Sequence, residues 1–573
     1  AHLAKLDDAG RPAGDGAAAA ESARVRDADL LLARKESEFA EALRLALGLR
    51  LDALADAETV ARGDSLTVAV RAYASESADV SVAGLRLRAP EGWKVEEIAP
   101  PEGVNALQSN RERATRAAYF RVTVPQTAEP TRPYWFRHAR RGDLYVWYDD
   151  QPKAMPFAPP PLRAEVAFEA GGERLTYERA VEHRLLDAVR GEVRREVSVV
   201  HELDVQLSPR LVVVPLHRAA RGATVEFTMQ LTNNVARTTE PEGEAVVTGA
   251  AGVSQNHGWT KTPDAHTFRF TRRGERATRK TRVRLPRGTK AGRYDLRGAV
   301  AAGFRAEARR GPTRWFNDGA RVIDYPHIDA RRYFTWQTAD VLVFDLRVAD
   351  VSVGYVMGSG DEVPEALRRM GLRVTPLEEA DLAAGDLSRF DTIVVGVRAS
   401  QTRPDFVANH KRLVEFVERG GALVVQYQRP DYAEQNLAPF PAAMQLRDAR
   451  GAQTISRVVD ETAPVRILEP AHAAFTRPNR ITPEDFAGWV QERNLYNFTE
   501  VDPRYTALLE SHDAGEPENR GGMVYARLGR GHYVYTSYSF FRQLPAGVPG
   551  AYRLFANLVS LPKSIPAAPA RRR

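Results

Sequence analysis

The spacing of apolar residues along the chain follows three successive patterns. From Glu21 to Leu54, leucines, alanines and Phe39 recur at steps of three and four residues, which is the period of an amphipathic helix. We expect this helix, behind a loose Ala/Gly/Asp-rich start, to fill an N-terminal segment of residues 1–57. Because its apolar stripe needs a cover, the helix either packs on the next segment of the chain or is the remainder of an upstream domain.

From Ser65 the apolar period becomes two, which is typical of half-buried strands. Stretches of this kind lie at residues 66–73, 80–87, 119–124, 224–231 and 281–285, with turns and no helical pattern between them. They predict two antiparallel β-sandwiches, one over residues 58–200 with an extra hairpin at 162–181, and one over residues 201–308. The order Gly63, Trp93, Pro125 returns as Gly222, Trp259, Pro286, which indicates a degenerate internal repeat or a chance similarity between β-rich segments.

After Tyr333 short apolar runs alternate with helical patterns. Residues 351–357, 392–397 and 422–426 read as buried strands, with helices at 362–370 and 406–419. This alternation predicts βαβ units and a doubly wound, flavodoxin-like parallel sheet. We place this α/β domain at residues 350–562, after a connector at 309–349 and before a tail at 563–573. The predicted fold class is therefore multidomain, β followed by α/β.

The composition of the chain excludes several kinds of site and segment. The chain has no cysteine, which excludes disulfides, thiolate metal sites and cysteine nucleophiles. No run of 18 apolar residues is present, so no membrane span is expected, and the polar first ten residues do not resemble a signal peptide.

The net charge of +7 comes mainly from arginine, since only nine of the 81 basic residues are lysines. Arginine binds phosphates well, so one interpretation is nucleic-acid binding, and the other is an Arg-rich codon usage. The 74 acidic residues are interspersed with the basic ones. This pattern favours the second interpretation, and we expect no nucleic-acid partner.

Two further segments allow two interpretations each. Residues 134–150 (YWFRHARRGDLYVWYDD) interleave aromatic and arginine side chains, as in surfaces that stack on sugars or bases, or form a structural loop with buried rings. Asp324, His327 and Asp329 are either three metal ligands or a turn.

In a doubly wound sheet, ligands bind beyond the carboxyl ends of the strands. The segment from Gly358 to Glu362 lacks the third glycine of a dinucleotide loop, and we interpret it as a tight turn or, alternatively, a ligand site. The chain has no Gly-x-Ser-x-Gly nucleophile elbow. The strand at 422–425 leads instead into Gln426-Tyr427-Gln428, side chains that cannot attack a carbonyl carbon.

Eight residues near these strand ends are the candidate site residues. If the domain is catalytic, the candidates are the carboxylates Asp361, Glu362 and Glu492. Glu492 and the adjacent Arg493 either face a cleft or form an internal salt bridge. The candidates for ligand binding are Arg398, Gln426, Tyr427, Arg493 and Arg542. We expect no metal site and no cofactor in this chain.

Four long motifs carry a family resemblance. They are residues 355–367 (YVMGSGDEVPEAL), 390–398 (FDTIVVGVR), 481–493 (ITPEDFAGWVQER) and 540–555 (FFRQLPAGVPGAYRLF). They resemble the C-terminal half of large bacterial PIG-L (LmbE-like) deacetylases, and the resemblance extends over residues 20–562. It implies sandwich modules like those attached to alpha-galactosidases, followed by a class I glutamine amidotransferase-like or ThuA-like domain.

The catalytic signature of that family has no counterpart here. The family's His-Pro-Asp-Asp motif would need His-Pro before Asp7-Asp8, where the chain has Lys5-Leu6. The resemblance therefore implies the non-catalytic binding and scaffolding region of a zinc-dependent N-acetyl-sugar de-N-acetylase, with zinc only in an absent catalytic domain. Its implied partners are a glycan or N-acetyl sugar and an upstream deacetylase domain, and it implies export from the cytoplasm. The alternative is a stand-alone ThuA-like sugar-processing or hydrolytic enzyme.

Overall fold

A computed structural model shows strands throughout residues 50–344 and strands alternating with helices after Ser352. The chain is therefore multidomain, β followed by α/β, as the sequence predicts. The structure describes residues 16–74, 80–101, 114–136, 138, 140–142, 144–146, 157–236, 242–249, 259–261, 265–267, 270, 272–302, 305–306, 309–310, 314–447 and 453–563. The predicted loose start (1–15), most of the predicted tail (564–573) and part of the aromatic segment 134–150 lie outside these residues.

The N-terminal helix α1 (Gly16–Ala46) is shorter than its predicted span. Gly48 adopts a positive φ of 63°, a conformation that ends helices and favours glycine. The next residues form the strand β1 (Arg50–Ala55), in which Leu51 and Leu54 are fully buried. The prediction that both leucines belong to the helix stripe was wrong, because apolar residues three apart also fit a strand buried on both faces.

The first β region lies before Leu203. Its strands are β1, β2 (Thr59–Ala61), β3 (Ser65–Tyr73), β4 (Val80–Arg88), β5 (Lys94–Ile98), β6 (Arg116–Thr123), β7 (Arg163–Ala170), β8 (Glu173–Ala180), β9 (Glu182–Asp187), β10 (Gly191–Glu196) and β11 (Ser198–Val200). One sheet has the order β10-β9-β1-β3-β6-β5, a second the order β4-β7-β8, and β2 pairs with β11. Alternate side chains of the two larger sheets, among them Val68, Val122 and Val166, meet in one buried cluster.

The second β region runs from Leu203 to Phe344. Its elements are β12 (Leu203–Ser208), β13 (Leu211–Pro215), α2 (Leu216–Ala219), β14 (Ala223–Asn233), β15 (Glu242–Gly249), β16 (Thr260–Lys261), β17 (Ala265–Thr267), β18 (Arg276–Leu285), β19 (Gly292–Ala302), β20 (Arg305–Ala306), β21 (Arg309–Arg310), β22 (Arg314–Phe316), β23 (Asp318–Ile323), β24 (Arg331–Trp336) and β25 (Thr338–Phe344). The two main sheets have the orders β12-β14-β18-β16 and β13-β25-β19-β15-β17. Phe227 and Val283 of the first share a core with Val300 and Val341 of the second.

Two expectations about this part of the chain need correction. Residues 309–349 are more than a connector, because β25 lies between β13 and β19 and completes the second sheet. The pairing is also not purely antiparallel, since β13 runs parallel to β25 and β1 runs parallel to β9. In both cases the strand joins a partner remote in sequence, which local periodicity does not reveal.

Buried charges join the two β regions. Glu202 is 1% exposed and lies 3.1 Å from the guanidinium of Arg62 and 2.5 Å from that of Arg314. The β23–β24 hairpin also reaches the first region, where Arg332 pairs with Glu58 at 2.9 Å. Opposite charges on both regions therefore hold them together.

The third region, from Ser352 onward, contains the α/β domain. Its helices are α3 (Val363–Arg369), α4 (Glu379–Ala384), α5 (Ala399–Thr402), α6 (Pro404–Glu418), α7 (Asp431–Glu434), α8 (Ala473–Thr476), α9 (Phe540–Ala546) and α10 (Pro549–Val559). Its strands are β26 (Ser352–Val356), β27 (Arg373–Pro376), β28 (Thr392–Val395), β29 (Ala422–Gln426), β30 (Ala442–Ala443), β31 (Gln445–Arg447), β32 (Gln453–Ile455), β33 (Arg457–Val458), β34 (Val465–Ile467), β35 (Asn494–Leu495), β36 (Glu500–Val501), β37 (Thr506–Ala507), β38 (Leu509–Ser511), β39 (Met523–Leu528) and β40 (Gly531–Thr536).

Seven of these strands form one sheet in the order β27-β26-β28-β29-β40-β39-β37. The first five are parallel, and β39 runs antiparallel to both of its neighbours, β40 and β37. Successive residues point to opposite faces, so Tyr355 packs in the cluster under α3, α9 and α10, and Val356 packs in the cluster under α4 and α6. Burial on both faces explains the continuous apolar runs in the sequence.

None of the helices in the described ranges combines the length and apolar character that crossing a membrane requires.

Candidate functional site

The carboxyl ends of β26, β28 and β29 meet at one edge of the parallel sheet, and a buried hydrogen-bond network joins them. The Tyr355 hydroxyl donates to Asp361 Oδ1 at 2.6 Å, and the Gln426 amide donates to the Tyr355 hydroxyl oxygen at 3.2 Å. Asp361 Oδ1 also accepts from the backbone N–H of Val363 at 3.0 Å. These bonds fix the turn from β26 into α3, so the segment from Gly358 to Glu362 is the tight turn predicted as one of its two interpretations.

Burial controls the ionisation of this network. Removal from water raises the pKa of the Asp361 carboxyl, while the hydrogen bond from Tyr355 opposes that rise. Burial also raises the pKa of the Tyr355 hydroxyl well above its usual range, with the nearby Asp361 charge acting in the same direction. Asp361 Oδ2 and Gln426 Oε1 are buried without a hydrogen-bond partner. The network thus keeps two unused acceptors at the edge of the sheet.

A second buried amide, Gln428, ties β28 to β29. Its Nε2 donates to the carbonyl of Gly396 at 2.8 Å, and its Oε1 accepts from the backbone N–H of Ser400 at 3.0 Å. Because Gln428 is fully buried, these bonds fix the position of Ser400 at the start of α5.

Four non-glycine residues of this domain with positive φ lie near the same edge. Their φ angles are 57° at Arg398, 25° at Tyr427, 71° at Gln491 and 67° at Tyr496. Each such conformation costs about 1–3 kcal/mol and persists only where the surrounding structure imposes it. Clusters of strained residues of this kind mark functional sites more often than plain loops do.

Aromatic and charged side chains surround Tyr427. Its ring contacts those of Tyr496 and Phe541, with centroids 5.3 and 4.9 Å away. The Arg542 guanidinium lies over the Phe541 ring and donates to Glu492 Oε1 at 3.1 Å. Burial raises the pKa of the Tyr427 hydroxyl, and the charge of Glu492 adds to that effect.

A polar cleft of about 850 Å³ opens beside this cluster. Strand-end loops supply one wall, and the remote segments around β31, β32 and Tyr496 supply the other. The cleft is lined by Ser400, Gln401, Arg429, Pro430, Asp431, Glu434, Gln435, Gln445, Thr454, Ile455 and Tyr496. Ser400 Oγ and Asp431 Oδ2 are both buried without a hydrogen-bond partner. Hydrogen-bonding capacity that the protein leaves unused, next to an aromatic ring, suits a polar ligand.

The structure brings several predicted site residues together. Arg398, Tyr427, Glu492 and Arg542 are neighbours at the edge of the sheet, since the charges of the other three all act on the Tyr427 hydroxyl. Arg398 itself donates to the side chain of Gln401, which lines the cleft. Asp361 and Gln426 lie just beneath, in the buried network.

Two predicted residues are placed elsewhere. Arg493 is only 4% exposed, and its guanidinium donates to the backbone carbonyls of Ala463 and Phe486. It therefore holds these two segments together and does not face a ligand. Its predicted salt bridge with Glu492 is not formed, because Glu492 pairs with Arg542. The exposed Glu362 pairs loosely with Arg369 at 3.8 Å.

Most of the side chains that line the cleft carry no signal in the sequence. Ser400, Arg429 and Asp431 fall in strand-end segments that the topology rule marks, but nothing in their local pattern distinguishes them. Tyr496 lies about 70 residues after β29. Its segment is held at the site by pairings between short strands, β30 with β36 and β33 with β35, which are too short to show a period in the sequence.

The arrangement near His327 does not support a metal site. Asp324 pairs with Arg190 and Arg195, and Asp329 pairs with Arg331. Within the ranges that the structure describes, no three His, Asp or Glu side chains are grouped as metal ligands. In the aromatic segment, Phe136 stacks on Tyr333 and Trp135 packs on Phe157, while Arg137, Trp147 and Tyr148 lie outside the described residues.

Comparison with known proteins gives no family. No protein-family model matches the chain, and no curated protein matches it. Among solved structures, it is similar to the beta-galactosidase from Rahnella sp. R3, with 14% identity, 38% of this chain and 32% of that chain covered, and a TM-score of 0.24. It is also similar to the beta-galactosidase from Bacillus circulans sp. alkalophilus (13% identity, 38% and 32% covered, TM-score 0.23) and to the Salmonella alpha-2-macroglobulin mutant Y1175G (13%, 52% and 16%, 0.17). The chain spans about a third of the length of these beta-galactosidases, and likeness at these scores carries no functional conclusion.

Proposed function

We propose that this chain is the non-catalytic binding and scaffolding region of a PIG-L-type, zinc-dependent N-acetyl-sugar de-N-acetylase. The zinc would belong to the catalytic domain, since the described residues offer no grouped metal ligands. Export from the cytoplasm is part of the same proposal.

One observation carries the proposal. A doubly wound hydrolase presents its nucleophile where a strand ends. At the ends of β28 and β29 this chain carries Arg398 and Gln426-Tyr427, which are engaged in hydrogen bonds or ring contacts. Beside them lies a cleft lined by polar side chains and one tyrosine ring. This edge is equipped to bind a hydroxyl-rich ligand, because carboxylate, guanidinium and amide groups match sugar hydroxyls and a ring packs on sugar C–H groups.

The proposed architecture has two β-sandwiches and a flavodoxin-like domain. The shared core of each pair of sheets supports the sandwich assignment. The order β27-β26-β28-β29-β40 corresponds to the 2-1-3-4-5 strand order of flavodoxin-like sheets. In this arrangement the Arg62–Glu202–Arg314 contacts keep the two β regions in a fixed relation, as a scaffold requires.

The second candidate is a ThuA-like hydrolytic enzyme. The observation that favours it is Asp361, whose carboxyl has a pKa raised by burial and an oxygen without a hydrogen-bond partner. Buried carboxyl groups with a raised pKa are typical of general acids.

The purified chain distinguishes the two candidates. We expect binding on a glycan array, confirmed by calorimetry with N-acetylglucosamine tetramer, and no release of acetate from that tetramer. Acetate release, or release of reducing ends, that is lost in Asp361→Asn would favour the enzyme. Failure to bind any glycan on the array would refute the proposed function.

A further inference from the structure

The cleft at the strand ends has an excess of negative charge. Two carboxylates, Asp431 and Glu434, line it together with one guanidinium, Arg429. Glu434 accepts a hydrogen bond from Gln445, whereas Asp431 and Arg429 form no ion pair with any residue in the described ranges. Asp431 Oδ2 is also buried without a donor. Among the described residues, the cleft therefore has one carboxylate that is engaged neither in an ion pair nor, at Oδ2, in a hydrogen bond.

Ser400 provides an independent sign of a ligand site. Ser400 is only 7% exposed, and its hydroxyl oxygen has no hydrogen-bond partner. The hydrogen bond from its backbone N–H to Gln428 fixes the position of Ser400, which lines the cleft. A buried polar group without a partner destabilises the fold, and a hydrogen bond from a ligand hydroxyl would offset that loss.

Tyr496 completes the wall. Its backbone is held at a positive φ of 67°, and its ring meets the Tyr427 ring nearly edge-on at 78°. The position of the ring is therefore set before a ligand arrives. Aromatic rings bind both the C–H face of a sugar and a nearby ammonium group.

We propose that this cleft binds an amino sugar, a hexosamine unit with a free ammonium group, in preference to its N-acetylated form. The ammonium group would pair with Asp431, and sugar hydroxyls would bond to Ser400, Gln401 and Arg429. The inference rests on the proposed function, since removal of an N-acetyl group turns a neutral amide into a cationic amine. The scaffold would then hold the deacetylated form of the glycan.

Calorimetry with the full purified chain tests this selectivity. Glucosamine tetramer and N-acetylglucosamine tetramer are titrated separately at pH 6.5 and low salt, where the amine is charged and screening is weak. We expect the amino tetramer to bind at least tenfold more tightly. Asp431→Asn should reduce this preference to about twofold or less, and Asp350→Asn, at an exposed carboxylate before β26, should leave it unchanged.

A second variant covers the case in which Asp431→Asn does not fold. Glu434→Gln removes the other carboxylate at an exposed position and should lower the preference two- to fivefold. Equal binding of both tetramers, or tighter binding of the N-acetylated one, refutes the inference and leaves the proposed function standing. If Asp431→Asn and Glu434→Gln both keep the wild-type preference for the amino tetramer, the binding site is not this cleft and the inference is refuted. Binding of neither tetramer, together with an empty glycan array, refutes the inference and the proposed function together.

Discussion

The Tyr355 hydroxyl and the Asp361 carboxylate, joined by a hydrogen bond of 2.6 Å, close the turn between the first strand and the first helix of the α/β sheet. Gln426 links this pair to β29, two strands away in the sheet order. Residues remote in sequence thus depend on one phenol for their relative positions. This makes Tyr355 a direct probe of the candidate site's framework.

Tyr355→Phe should destabilise the α/β domain by about 1–2 kcal/mol. The change removes the donor to Asp361 and the acceptor for Gln426, and it leaves two buried polar groups with fewer partners. Urea unfolding followed by far-UV circular dichroism measures the loss. Tyr325→Phe, at a residue 57% exposed, is the matched control. Equal stability of the two variants would contradict a structural role for the pair.

Acidification should weaken the fold between about pH 6.5 and pH 4. Burial lowers the pKa of both His201 and His532 to about 4. Below pH 6.5 the unfolded chain therefore takes up protons that the folded chain does not. The free energy of unfolding decreases as the pH is lowered. Thermal unfolding at half-unit pH steps measures this slope.

The variant His532→Gln isolates the contribution of one histidine. Its melting temperature should fall less steeply below pH 6.5 than that of the wild type, whereas His327→Gln, at an exposed ring, should keep the wild-type slope. Comparison with the wild type is needed because carboxyl groups with a raised pKa, such as Asp361, gain stability in acid and act in the opposite direction. A parallel shift of all three curves would show that His532 is not responsible.

Glu202→Gln should destabilise the junction of the β regions by about 3 kcal/mol. The substitution leaves the guanidinium groups of Arg62 and Arg314 facing each other without the carboxylate between them. Loss of one partner of a buried ion pair costs more than loss of a surface pair. Glu226→Gln, which removes an exposed pair with Lys280, should cost less than about 1 kcal/mol. Differential scanning calorimetry would resolve the affected transition, and similar losses in both variants would argue against a buried junction.

Gly550→Ala should be destabilising by about 2 kcal/mol, although alanine normally favours a helix over glycine. An added Cβ would lie 1.8 Å from the carbonyl oxygen of Asp485, so the start of α10 would have to move away from the 3₁₀ turn at Pro483–Phe486. Gly84→Ala, where nothing lies within 4 Å, should change stability by less than about 0.5 kcal/mol. Melting temperatures give the comparison, and a stabilised Gly550→Ala would mean that the helix start adapts freely.

Local apolar spacing is enough to predict the order of fold classes along the chain. Period-two stretches such as β3 and β14, and the buried runs of β28 and β29, bury apolar side chains in patterns that local spacing reveals. Because ligands of a parallel sheet bind beyond the carboxyl ends of its strands, the sequence also predicts Arg398, Gln426 and Tyr427 near the candidate site.

The pairing of strands across long separations, and the set of side chains that share the cleft, cannot be read from local spacing. β25 pairs with β13, which lies about 130 residues earlier in the chain. Tyr496 lines the same cleft as Ser400, although almost 100 residues separate them. Arg493 and Arg542 look alike in sequence, yet one is buried among carbonyls and the other stays at the edge beside Glu492. Burial and hydrogen-bond partners depend on contacts between distant segments, whereas the apolar period of one segment reports only which of its side chains face the core and which face water.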